Sequence, residues 1–139
     1  MLVKKSKRID RIAVGCICTY KGKYFLMRRV KDDLWNSVTG KVEDDETPLQ
    51  AIIRELKEEI GLLDVEPKFM AKLYHDYDGK IVEYSIFAYD FKDDPLKILR
   101  LNRKEHHEMG LFSLEEALRL RLYEDEGHCL KLHSSWKSK

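Results

Sequence analysis

The chain has 139 residues, 43% hydrophobic and 37% charged, which suits one well-solvated domain with a core of its own. Its net charge of +1 gives no strong field for nucleic acid or an anionic membrane, and no apolar run is long enough to span a bilayer. Three cysteines, an odd number, provide no disulfide framework and point to a reducing cytoplasm.

Residues 1–8 are polar and basic at Lys4, Lys5, Lys7 and Arg8, with no apolar run and cleavage site behind them, so they read as a flexible lead-in and not a signal peptide. Ile9 to Tyr20 is rich in β-branched and apolar residues and predicts a strand. Lys21-Gly22 turns the chain, and Lys23 to Val30 returns as the second arm of a hairpin. Lys31 to Asn36 reads as a charged loop, and Ser37 to Lys41 as a short extended piece. Thr47 is placed to cap a helix, with Pro48 at its first position and Gln50 completing a capping box. Leu49, Ile52, Ile53, Leu56 and Ile60 make its apolar stripe, and Gly61 stops it.

Phe69 to Tyr74 and Ile81 to Phe91 predict a second hairpin around Asp78-Gly79. A Pro-containing connector runs from Asp93 to Arg103, and Glu108 to Phe112 predicts a short strand. Ser113 to Glu116 is a second capping box and opens a helix through Leu122. A further short helix is expected around Cys129 to Leu132, before a flexible end at 134–139. Strands mixed with helices, without repeat or linker, give a single α/β layered domain over 1–139.

The chemistry concentrates between Gly40 and Leu62. Glu55, Glu58 and Glu59 stand at i, i+3 and i+4 and share one helix face. Like charges so placed repel, and a hard divalent ion that takes oxygen ligands removes the repulsion. That pattern reads as a metal-binding helix suited to phosphate chemistry. Gly40, Glu46, Arg54, Glu55, Leu56, Glu58, Glu59, Gly61 and Leu62 together resemble the Nudix box, Gly-x5-Glu-x7-Arg-Glu-U-x-Glu-Glu-x-Gly-U, where U is a bulky aliphatic.

The resemblance implies an α/β/α sandwich with a mixed β-sheet and metal-assisted hydrolysis of a diphosphate linkage. It implies that Glu55, Glu58 and Glu59 hold Mg²⁺, with Mn²⁺ as a substitute, and that Glu55 also orients or deprotonates water. Arg54 is expected to pair with Glu46. Thr39 stands where many members carry another glycine, and its main-chain carbonyl is the implied metal contact. The run Trp35-Asn36-Ser37-Val38-Thr39-Gly40 resembles the dihydroneopterin triphosphate pyrophosphatase branch. Glu105-His106 resembles that branch and the dinucleoside polyphosphate branch, where such a Glu serves as distal ligand or base, so Glu105 is preferred over Glu108 as the fourth acid.

Arg28 and Arg29 point to opposite faces of their strand; one guanidinium suits a substrate phosphate, and an edge-of-sheet ion pair is the equal alternative. Lys41, beside Gly40, is a second cation candidate with the same alternative. Trp35 is placed to stack on a base or pterin, or to pack under its loop. His106-His107 reads as an exposed polar pair, and His75, His128 and His133 have no metal-ligand spacing. Cys16 and Cys18 share a strand face and read as buried small hydrophobes rather than zinc ligands. The basic patch Lys97, Arg100, Arg103, Lys104 lacks interleaved aromatics, so nucleic acid is not the expected partner.

The leading expectation is hydrolysis of a nucleoside or dihydroneopterin triphosphate to the monophosphate and pyrophosphate. Dinucleoside polyphosphates come second, partly because Tyr74 and Tyr77 lie downstream where the similar branch often has a tyrosine. ADP-ribose ranks lower because the proline that branch tends to place there is missing between Leu73 and Gly79. A non-catalytic nucleotide-binding module and an isoprenoid diphosphate isomerase are the other classes. The first is disfavoured by the intact box, the second by the lack of a Cys–Glu pairing. Homodimerisation is compatible with the sequence and not specified by it.

Overall fold

The structure, a computed structural model, describes residues 2–5 and 8–137. Its elements are β1 (Leu2–Val3), β2 (Arg11–Tyr20), β3 (Lys23–Arg29), β4 (Trp35–Asn36), β5 (Val38–Lys41), α1 (Pro48–Ile60), β6 (Lys68–Tyr77), β7 (Lys80–Asp90), α2 (Pro95–Ile98), β8 (His106–Phe112), α3 (Leu114–Leu118) and α4 (Glu126–Lys137). Both long hairpins turn through two consecutive left-handed residues, Lys21-Gly22 at φ 49° and 79° and Asp78-Gly79 at φ 51° and 86°. That geometry matches the twist of the flanking strands.

β2 is the spine of the sheet. One edge pairs in parallel with β7 from Arg11 to Thr19. The other edge is shared: Ala13 to Cys16 pair with β5, and Cys18 to Tyr20 pair with β3. β3 then continues past β2 to bind β4 on that side and β8 on its other side. The sheet therefore opens where β2 changes partner, and β5 emerges into the gap. β5 carries Thr39 and Gly40.

Both faces of the sheet are covered, as alternation along β2 and β3 requires. Val14, Cys16, Cys18, Phe25 and Met27 pack with Ala51, Ile52, Leu56 and Ile60 of α1. Ile17, Tyr24 and Leu26 pack with Ala117 of α3 and with Cys129 and Leu130 of α4. This is the expected α/β/α sandwich around a mixed sheet. Cys16 and Cys18 are free and buried, as small hydrophobes.

Several expectations are corrected. Leu49 is exposed and Ala51 takes its place in the buried stripe of α1. The helix opened by Ser113 ends at Leu118, not Leu122, because the following segment is drawn to β4: Trp35 N donates to Arg121 O at 2.9 Å and Tyr123 N to Trp35 O at 2.8 Å. Trp35-Asn36, expected in a loop, is thereby a strand. Near the two ends, Leu2–Val3 pairs with β6 and α4 spans Glu126–Lys137, longer than the short helix expected around Cys129 to Leu132. Residues 1, 6, 7, 138 and 139 lie outside the described residues. Among the described residues no helix is long and apolar enough to cross a membrane.

Candidate active site

Helix α1 begins with the expected capping box. Thr47 accepts from Gln50 N at 3.2 Å, while Gln50 Oε1 accepts from Thr47 N at 2.9 Å. Gly61, at φ 70°, closes the helix in the left-handed region. The acidic face is therefore presented at a fixed angle to β5. Gly40 allows the contact: a Cβ there would run into the side chain of Glu55.

Arg54 organises the carboxylates, as expected. Its guanidinium meets Glu46 through Nε at 2.7 Å and Nη2 at 2.9 Å, the fork matching both carboxylate oxygens. Nη2 also donates to Lys41 O at 2.9 Å, and Nη1 reaches Glu55 at 2.7 Å and Glu58 at 3.3 Å. Hydrogen bonding to Arg54 holds Glu46 below the usual carboxylate range. Glu55 moves the other way: burial raises it to about 6, against the pull of Arg54.

The three box carboxylates differ in exposure. Glu58 is half exposed, Glu55 is mostly covered, and Glu59 is buried. Glu105 comes to Glu59 because its turn is stitched to two elements. Asn102 N donates to Glu59 O at 2.9 Å, and Val30 N, just past β3, donates to Glu105 O at 2.9 Å. Burial and then the Glu59 carboxylate raise the Glu105 carboxyl. Oε2 of Glu59 is buried without a hydrogen-bond partner. A buried, unpartnered carboxylate oxygen beside a second carboxylate fits an oxygen-liking divalent cation.

Two clefts meet at Thr39. A smaller one of ≈ 400 Å³ runs past Arg29, Asn36, Glu105 and His106. A larger one of ≈ 630 Å³ is lined by Gly40, Lys41, His75, Tyr77, Tyr84 and Tyr123, among others. Arg29 faces the smaller cleft and stacks on Tyr123, 4.2 Å from its ring centre. Lys41 faces the larger one.

Two expected substrate contacts are not brought together with these. Arg28 pairs with Glu108 at 3.2 Å and Asp33 at 3.5 Å and lines neither cleft. Trp35 is buried, edge-on to Phe112 at 5.2 Å, so of the two readings of its indole the packing one holds.

Some residues were missed in the sequence. His106 is buried, not exposed, and bonds Asn36 Oδ1 at 3.1 Å, whereas His107 is exposed and pairs with Asp33. Glu126 is buried at the start of α4 and accepts from Ser37 N at 2.6 Å and Ser37 Oγ at 3.0 Å, holding the β4–β5 junction from beneath. His75 bonds Asp125 at 2.8 Å and stacks on Tyr77 in the larger cleft. Periodicity carries no signal for a lone buried Glu or His. For His106 the alternation of β8 misleads: counted from Met109 it turns His107 inward, and the register shift opposite Arg28 and Arg29 puts His106 there instead.

A carboxylate-bearing helix facing a glycine on a strand, with a fourth carboxylate from a distant turn, makes an acidic site whose oxygens suit a hard divalent cation. The comparisons give the class of protein. Residues 10–132 match the NUDIX domain, and the chain belongs to that family as a Nudix hydrolase. An 8-oxo-dGTP diphosphatase of Proteus vulgaris is 36% identical over 85 residues, covering 58% of this chain and 76% of that protein. A CTP pyrophosphohydrolase of Escherichia coli (strain K12) is 32% identical over 110 residues, 76% of this chain and 77% of that one. The solution structure of the E. coli ORF135 protein superposes with a TM-score of 0.76 at 28% identity, over 92% of this chain and 91% of that one.

Proposed function

We propose that this single-domain Nudix hydrolase is a Mg²⁺-dependent pyrophosphohydrolase, able to use Mn²⁺, that converts a nucleoside triphosphate-like substrate to its monophosphate and pyrophosphate. The observation that carries this reading is that Glu59, on the helix whose Glu55 packs against Gly40, and Glu105 bring carboxylate oxygens within 4.8 Å of one another, and that Thr39 and Gly40 in turn line a cleft of ≈ 630 Å³. The named relatives, which act on 8-oxo-dGTP and CTP, support a nucleotide substrate in the same chemical class.

In this reading the four glutamates and the Thr39 carbonyl hold the divalent ion. When bound, the ion makes water more acidic and neutralises charge that builds on the phosphate oxygens. Glu55, raised to about 6 by burial, orients the attacking water and takes its proton. Arg54 fixes Glu55 in place. Water oxygen bonds to phosphorus, the bridging P–O bond breaks, and pyrophosphate leaves with the electron pair. Arg29 and Lys41 bind the polyphosphate, and Tyr77 and Tyr123 flank the base. Three free buried cysteines suit work in the reducing cytoplasm.

With Trp35 in the core, the run it begins supports the scaffold, and the dihydroneopterin preference loses its stacking group. Tyr77 in the larger cleft favours a dinucleoside polyphosphate as the second reading. The test is hydrolysis of a panel with Mg²⁺ and with chelator, products resolved: common nucleoside triphosphates, 8-oxo-dGTP, dihydroneopterin triphosphate, a dinucleoside tetraphosphate and ADP-ribose. Chelator-sensitive release of pyrophosphate from a triphosphate is the expected result. Nucleotide binding with no cleavage of any member overturns the reading in favour of a sensing module.

A further inference from the structure

We propose that Glu59, Glu105 and His106 form a cation subsite with an imidazole ligand, suited to a borderline ion such as Zn²⁺ rather than to Mg²⁺. The inference rests on Glu59 and Glu105 facing a bound cation, as in the reading above, and adds a ligand and an ion class to it.

The ligand atoms of the three residues lie within 4.8 Å of one another. The side chains of His106 and Glu59 are only 7% and 6% exposed. His106 Nε2 stands 3.1 Å from Asn36 Oδ1, an acceptor, so Nε2 donates there and Nδ1 is the ring nitrogen turned toward Glu59. Nδ1 lies 3.3 Å from Glu59 Oε2, and neither atom has a hydrogen-bond partner.

Both atoms are buried, face each other and make no aligned hydrogen bond, and a buried polar atom left so is costly. A cation shared between them satisfies both. Adjacent ligands of a tetrahedral ion with bonds of about 2.0–2.1 Å stand about 3.4 Å apart. The 3.3 Å separation of Nδ1 and Oε2 meets that requirement. Asn36 acts as the outer partner that fixes the tautomer and ring orientation, as such partners do around metal-bound imidazoles. Mg²⁺ prefers oxygen and keeps its waters, whereas imidazole suits zinc and its neighbours.

The test is X-ray absorption at the zinc edge on the full chain loaded with one equivalent of Zn²⁺. Zn²⁺ and Mg²⁺ affinities are measured alongside, in wild type and His106→Gln. The expected result is outer-shell scattering from one imidazole in wild type, lost in H106Q. Zn²⁺ affinity should fall at least about 100-fold in the variant and Mg²⁺ affinity change less than about threefold. The wild-type spectrum is decisive even if H106Q folds poorly. Scattering from oxygen ligands alone, or imidazole scattering that survives in H106Q, overturns the proposal. If either result comes with intact chelator-sensitive turnover, only this subsite falls; if no divalent ion binds and nothing is cleaved, the proposed function falls with it.

Discussion

Gly40 and Glu55 occupy each other's space at the centre of the site. Because a methyl at Gly40 would strike the Glu55 side chain, Gly40→Ala forces the carboxylate or β5 to move. A displacement near 1 Å costs about 100-fold in rate when it separates reacting groups. Steady-state kinetics should show that loss while the thermal midpoint shifts by only a few degrees, about the effect of 1 kcal/mol in a domain of this size. Glu58→Gln and Glu59→Gln keep side-chain shape and remove charge. Since a bound cation contributes several kcal/mol, each should lose about 100-fold or more of its turnover with a native circular dichroism spectrum. Near-normal turnover at saturating Mg²⁺ in either variant would sink the assignment of that carboxylate.

Helix α1 and strand β4 show how elements hold the site without touching substrate. The Thr47 cap satisfies an end of α1 that would otherwise present bare N–H groups. Thr47→Ala should cost about 1 kcal/mol in urea unfolding and leave kcat within twofold. An unchanged unfolding midpoint would mean the cap contributes nothing. Trp35 in β4 packs against Phe112 and pairs with the segment around Leu122, tying β4 to the connection between α3 and α4. Trp35→Ala should therefore cost about 3–5 kcal/mol of stability, and Trp35→Phe should leave KM within twofold. A tenfold rise in KM with unchanged stability would restore Trp35 as a ligand-stacking residue.

Across the whole molecule, two buried histidines remote from the carboxylates of α1 add to the acid response. His133, on the buried side of α4, accepts or donates with Tyr24 at 2.9 Å and is lowered to about 4, chiefly by burial. The unfolded chain, with its histidine near 6.5, binds the proton more readily. The neutral-His contribution is thus fully present above about pH 6.5 and lost as pH falls toward 4. Since His133 also lines a surface cleft of ≈ 690 Å³, solvent screens part of the effect, which is worth about 2 kcal/mol. Urea unfolding between pH 7 and 4 should show this slope, and His133→Gln should flatten it. An equal slope in both proteins would assign it to other groups, with His75 the next candidate because burial lowers it too.

The local features of this molecule were legible in its sequence because their physics is local. The Thr47–Gln50 capping box, the Gly61 stop, the two hairpin turns and the i, i+3, i+4 carboxylates each depend on residues within one turn of chain. Apolar alternation in β2 and β3 likewise announced a sheet covered on both faces. What no spacing encodes is which distant groups meet. The approach of Glu105 to Glu59 depends on backbone bonds from Asn102 and Val30. The burial of Trp35 follows from the pairing of β4 with residues 121–123. The clamp from Glu126 to Ser37 joins residues 89 apart. His106 and Asn36, 70 apart, behave alike: each is an ordinary polar residue in sequence, and only close packing removes their water and leaves a bare nitrogen against a bare carboxylate oxygen. The sequence by itself determined the carboxylate-bearing helix and its ends; the tertiary structure decided which residues stand beside it, because burial and long-range pairing depend on the whole fold.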